Sequence, residues 1–163
     1  MTRRLAITAV AATLALAASG ERLAAQPAIY GKLAGTWVYD SATAPDDHGG
    51  PKSESIVFTI AGEALRVDAT EDMGKGPVKS GFECTTKGAL RDAGSGVMTR
   101  CTMHPYADSV VYAVDVLQDG KVVSGERGRL VVTGGGKSLR DEYDATDVTE
   151  PPSHHRHRLT KQQ

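Results

Sequence analysis

From about residue 33 onward, apolar side chains recur at every second position, in short runs broken by clusters of Gly, Pro, Asp and Ser. That is the period of a half-buried strand, not of a helix. Leu33, Gly35, Trp37 and Tyr39 share one face of a first strand, and a Pro-, Gly- and Asp-rich loop follows over residues 41–52. Ile56, Phe58 and Ile60 then alternate with Glu54, Val57 and Thr59. Past the tight turn Ala61-Gly62-Glu63, Leu65, Val67 and Ala69 alternate with Arg66, Asp68 and Thr70. Two such runs around a short turn predict a hairpin. Strands over residues 78–86 and 96–103 carry Cys84 and Cys101, with residues 87–95 as the turn between them. Val110, Tyr112, Val114 and Val116 line one face of the next strand, which turns at Gln118-Asp119-Gly120. Residues 121–132 form a long strand in which Gly125 and Gly128 predict a bend or bulge. After a turn at residues 133–136, the last two strands cover residues 138–145 and 153–160. The pattern therefore predicts an all-β domain of eight or nine strands joined mostly by short turns. It is an antiparallel up-and-down β-barrel or half-barrel, without crossover helices.

The N-terminal stretch has a different character. Arg3 and Arg4 precede an uncharged apolar run from Leu5 to Ala18, and small residues follow as far as Ala25. This order reads as a secretory signal peptide. The run falls short of the roughly 20 residues that a membrane-spanning helix needs. The expected organisation is a signal over residues 1–25, an N-terminal segment over 26–32, the barrel over 33–160 and a tail over 161–163. No membrane span is expected after cleavage, and the protein is expected to be exported, periplasmic or extracellular. The formal charge is −1, which offers no footprint for nucleic acid. Cys84 and Cys101 are the two cysteines. An even count in an exported chain points to one disulfide.

Leu33, Gly35 and Trp37 form an L-x-G-x-W motif at the start of the first strand, ahead of a long loop and a meander of strands. In this the chain resembles the lipocalin superfamily, and more closely the bacterial exported lipocalin-like proteins. Residues 119–132 also resemble a recurring segment of that group. The resemblance implies a barrel that holds a small, largely apolar ligand, with Trp37 plugging one end. It also implies that Arg156 or Arg158, on the last strand, packs across the indole.

Candidate chemistry concentrates in the last two strands. If Leu139 pairs with Leu159, Asp141 stands opposite His157 and Tyr143 opposite His155, all facing inward. The other face, with Arg140, Glu142, Asp144, His154, Arg156 and Arg158, is charged and should meet water. Buried polar groups are costly unless paired, so the inward set lines a cavity, binds a metal or lies near a wet mouth. His155 and His157 have a spacing that can chelate Zn²⁺ or Cu²⁺, with Asp141 as a third ligand. A wet strand end without metal is the simpler reading, and no cofactor is expected. The candidate ligand-binding set is Trp37, Phe58, Tyr112, Asp141, Tyr143, His155 and His157. A barrel filled by its own side chains fits the apolar pattern equally well. That alternative makes the protein an inhibitor or accessory subunit with an envelope protein partner. No nucleophile–base set can be assembled by spacing, so the expectation is binding without catalysis.

Overall fold

A computed structural model describes residues 27–39 and 51–163. The expected signal segment and most of the 41–52 loop lie outside the described residues. A short helix, α1 (Ala28–Leu33), leads into β1 (Gly35–Tyr39), and nine further strands follow: β2 (Ser53–Ala61), β3 (Ala64–Asp72), β4 (Pro77–Thr85), β5 (Leu90–Gly94), β6 (Val97–Pro105), β7 (Ser109–Gln118), β8 (Lys121–Thr133), β9 (Ser138–Asp147) and β10 (Ser153–Lys161). Neighbours in the sheet run β4-β3-β2-β1-β10-β9-β8-β7-β6-β5, and β4 also pairs with β6. That last pairing closes nine strands into a barrel and leaves β5 as an extra strand on its wall.

Simple turns set the register. Gly62-Glu63 closes the β2–β3 hairpin, which pairs Phe58 with Val67 and Ile60 with Leu65. Asp119 and Gly120, both with positive φ (51° and 75°), make the two-residue turn between β7 and β8. Such a turn matches the right-handed twist of the strands it joins. The β9–β10 ladder places Leu139 opposite Leu159, Asp141 opposite His157 and Tyr143 opposite His155, as the alternation predicts. The charged face is outside, where Arg156 donates to Glu142 at 2.7 Å and His154 meets Asp144 at 2.8 Å.

Four local expectations change. Leu33 ends a helix instead of starting a strand; it is fully buried with Ile29 and Tyr30 beneath one end of the barrel. Residues 87–95 are not a plain turn, because they contain β5, whose residues are all exposed. Cys84 and Cys101 therefore do not face each other across a hairpin. They are register partners on β4 and β6, which run parallel, and they form the expected disulfide. The irregularity in β8 lies where the register shifts between Val116 and Leu117 of β7, not at Gly125 or Gly128.

Trp37 is fully buried and closes the α1 end of the barrel. Its Nε1–H donates to the Leu33 carbonyl at 2.6 Å. The cation over its ring is Lys161, with Nζ 5.1 Å from the centroid, and not Arg156 or Arg158. Parity explains the difference. Lys161 is the direct partner of Trp37 in the β1–β10 ladder, whereas Arg156 and Arg158 stand an odd number of residues away and point to water. Gly35, at φ +117°, lets this neighbour come close: a Cβ there would lie 3.1 Å from Lys161 Cε. The same ammonium donates to the Lys32 carbonyl at 2.8 Å, which ties the end of β10 to α1.

Candidate functional site

The barrel holds a partly open cavity of about 130 Å³. A single water needs only about 10–15 Å³ on that scale, so the interior is hollow rather than filled. Its lining divides into two chemistries. Ile56, Phe58, Leu65, Val67, Phe82, Cys84, Met103, Val110 and Leu130 supply an apolar part. Glu54, Glu71, Glu126, Asp141, Tyr112 and Tyr143 supply a polar part. Among the described residues no lysine or arginine lines it.

Of the residues expected from the sequence, Phe58, Tyr112, Asp141 and Tyr143 are brought together on this cavity. Trp37 is not in the lining; it seals the barrel end. His155 and His157 are also outside the lining. His155 stacks on Tyr143 with ring centroids 4.9 Å apart, and its Nε2 meets Ser153 Oγ at 2.7 Å. His157 is buried and packs edge-on against Tyr39 and Tyr143, and its Nδ1 meets Glu54 Oε2 at 3.1 Å. Among the described residues no group of three or more His, Cys, Asp and Glu side chains stands so as to hold a metal ion. His155, His157 and Asp141 are thus not gathered as a metal triad.

Three acidic lining residues were not expected. Glu54 shares the parity of Ile56 and Phe58, so it faces inward with them rather than outward with Val57 and Thr59. Glu71 continues the inward series Leu65, Val67 and Ala69, and Glu126 continues that of Leu130 and Val132. Glu54 and Glu71 are direct register partners. Like charges placed opposite each other on one face are destabilising.

Burial and mutual repulsion shift these groups together. Burial, aided by Glu54 and Glu126 against the hydrogen bond from Tyr112, pushes Asp141 up to about 7. Burial, then the neighbouring glutamates, raises Glu71 and Glu126 above the ordinary carboxylate range. Burial alone would lower His157, but the hydrogen bond and charge of Glu54, with Asp141 and Glu71, outweigh it and hold His157 above its ordinary value. Tyr112 and Tyr143 are raised by burial first and by the same carboxylates second.

These shifts act in one direction on stability. Between about pH 4 and pH 7 the folded chain keeps the Asp141 proton that the unfolded chain has released, so stability falls as pH rises through that window. The raised glutamates add to the fall above their unfolded values. The contribution of His157 is complete below about pH 6.5 and is lost as pH rises through its higher folded value. The chain is expected to be more resistant to urea near pH 5 than near pH 8, and Asp141→Asn is expected to flatten that slope. Midpoints measured across this range check both.

The polar part is positioned by an absence. Gly128 pairs with Tyr112 on one side and Tyr143 on the other. A Cβ at Gly128 would lie 2.6 Å from Tyr112 Cζ and from Tyr143 Cβ. The bare backbone lets the Tyr112 ring lie across β8, so its hydroxyl donates to Asp141 Oδ1 at 3.0 Å. Gly128→Ala is therefore expected to displace Tyr112 and to cost about 1–3 kcal/mol, the usual cost of overpacking. Denaturant unfolding measures the cost.

With that geometry in place, comparison with solved structures is informative. A secretory abundant heat soluble protein of Ramazzottius varieornatus superposes with a TM-score of 0.52 over 80% of this chain and 96% of its own, at 10% identity. Secretory abundant heat soluble protein 4 of the same organism gives 0.51, over 81% of this chain and 96% of its own, at 9% identity. The fold is lipocalin-like. At these identities the likeness is of fold alone. No protein-family model matches the chain, and no curated protein matches it by sequence. Among the described residues no helix is long and apolar enough to cross a membrane.

Proposed function

We propose that this chain is an exported binding protein that holds a small, largely apolar molecule inside its barrel. The observation that carries the reading is the cavity itself: a partly open space lined mostly by Ile56, Phe58, Leu65, Val67, Phe82 and Met103 and left unfilled by the protein. Concave, mostly apolar pockets with a few converging polar groups are the usual form of small-molecule sites. Phe58 and Val67 contact the apolar body of the ligand, and Tyr112, Asp141 and Tyr143 meet its polar end. The disulfide and the signal-like N-terminal sequence support export. Nothing in the site calls for a chemical step, and the activity proposed is binding.

The test is titration of residues 26–163 with a neutral apolar dye such as N-phenyl-1-naphthylamine. Saturable uptake at one site per chain is expected, with a fluorescence increase. Ala69→Trp, which fills the cavity from the inward face of β3, is expected to abolish uptake while leaving the circular dichroism spectrum unchanged. Uptake that does not saturate, or that Ala69→Trp leaves intact, would overturn the reading. The dye is the better reporter, because Trp37 is outside the lining and its emission is expected to change little.

A further inference from the structure

Resting on that reading of the cavity, we infer that its ligand carries a positively charged nitrogen, an amine or ammonium group on an apolar body, and that Glu71, Glu126 and Asp141 receive it. Among the described residues, four carboxyl side chains border the space, on β2, β3, β8 and β9, and no lysine or arginine does. The charge of His157 reaches these carboxyls, and its ring is engaged by Glu54 at 3.1 Å. Glu71 and Glu126 have neither a hydrogen bond nor an ion pair among the described residues.

Asp141 makes the separate point. It is 8% exposed, and its Oδ1 accepts from Tyr112. No described residue donates to its Oδ2. Yet among the described residues the one buried side-chain nitrogen or oxygen lacking any partner is Nε2 of His157. Asp141 lines the cavity, so its second oxygen is placed to meet a ligand held there. A carboxyl oxygen there, with no donor from the described residues, can accept from a ligand once the group ionises, and a cation beside it favours that ionisation.

The arrangement is costly for the empty protein. Glu54 and Glu71 oppose each other across the β2–β3 ladder, and Glu126 adds a third carboxyl from β8. A cation entering this space replaces repulsion with attraction at partly buried groups, where charge interactions are stronger than in bulk water. An anion of the same shape meets the opposite field. The apolar lining takes the hydrocarbon part in either case, so the sign of the head group decides between ligands of equal length. His157 does not reverse this: it is hydrogen-bonded to Glu54 and its charge also reaches Glu71, Glu126 and Asp141, but it is one cation among four carboxyls.

The experiment compares n-octylammonium, n-octanol and octanoate by calorimetry or by displacement of bound dye, at neutral pH and low salt. Octylammonium is expected to bind about ten-fold tighter than octanol, and octanoate weaker than octanol. Raising the salt should erode the preference. The double variant Glu71→Gln/Glu126→Gln removes repulsion and keeps side-chain volume. It is expected to stay folded, and its ratio of ammonium to octanol affinity is expected to fall toward one. Equal affinity for all three probes would overturn the charge inference and leave the apolar binding site standing. Preference for octanoate would overturn it in favour of an anion met by His157. Binding of none of the three would overturn both.

Discussion

Replacing Cys84 and Cys101 with alanine is expected to lower stability by about 3 kcal/mol, the chain-entropy value for a loop of this order. The sequence separation is 17 residues. The location of the bond makes the loss specific. Every other junction between wall strands is an antiparallel ladder, such as the run from Val97↔Gln118 to Pro105↔Val110 between β6 and β7. The β4–β6 junction has only Cys84↔Cys101 and Thr85↔Thr102. The disulfide is thus a covalent rung at the weakest seam, and Cys84 also lines the cavity. Without the bond, the amides of β4 and β6 are expected to exchange hydrogen much faster, while those of β8–β10 change less. Uptake of apolar dye should weaken in parallel. Hydrogen exchange together with urea midpoints reads all three effects. A uniform rise in exchange across the barrel would mean that the bond acts only on the unfolded chain. A loss well below 1 kcal/mol would mean that packing alone holds the seam.

That seam also shows where sequence reasoning stops. Hairpin pairing between neighbours in sequence is legible because each turn and each alternation is local. The β9–β10 register follows from two leucines and a period of two, and it places Asp141, Tyr143, His155 and His157 on the inward face without any structure. Parallel contact of β4 with β6 is non-local. It depends on β5, whose run Leu90–Gly94 is short, polar and exposed on both faces, so it carries no alternation to detect. Helix α1 is similarly hidden: at six residues it has fewer than two turns in which a period of 3.6 can show, and its formation rests on burying Ile29, Tyr30 and Leu33 under the barrel.

The candidate site was half legible for a related reason. Phe58, Tyr112, Asp141 and Tyr143 are aromatic or oddly placed polar residues, and strand parity brings them inward. Glu54, Glu71 and Glu126 obey the same parity, but a glutamate is ordinarily solvated, so polarity argues against what position dictates. The hollow is equally unreadable, because bulky side chains at alternating positions suit a filled barrel as well as an empty one. Only the assembled wall shows that Gly128 leaves the Tyr112 ring lying flat, and that space remains between β2–β4 and β7–β9.

Trp37→Ala is the substitution expected to cost most, about 4–5 kcal/mol. Truncating a fully buried tryptophan typically costs 3–5 kcal/mol through lost burial and the cavity left behind. Two further losses place this site at the upper end. The Leu33 carbonyl loses the Nε1–H donor at 2.6 Å and stays buried, and an unmet buried acceptor costs about 1–3 kcal/mol. Lys161 loses its ring, which at a partly exposed site is worth about 0.5–1 kcal/mol. The terms overlap, so they do not simply add, and conservative variants separate them. Trp37→Phe keeps most of the ring burial and removes the donor, with an expected loss of about 2 kcal/mol. Lys161→Met keeps the aliphatic stem beside Gly35 and removes the cation, with an expected loss below 1 kcal/mol. Domains of this size have about 5–15 kcal/mol in total, so Trp37→Ala leaves a chain near its unfolding threshold, with α1 detached first because its last carbonyl has lost its anchor. Urea unfolding followed by tyrosine fluorescence and by far-ultraviolet dichroism gives the three values. A small loss for Trp37→Ala would mean that α1 closes the barrel by its own apolar face. A loss for Lys161→Met as large as that for Trp37→Phe would move the main contribution from the indole N–H to the cation that spans α1, β1 and β10.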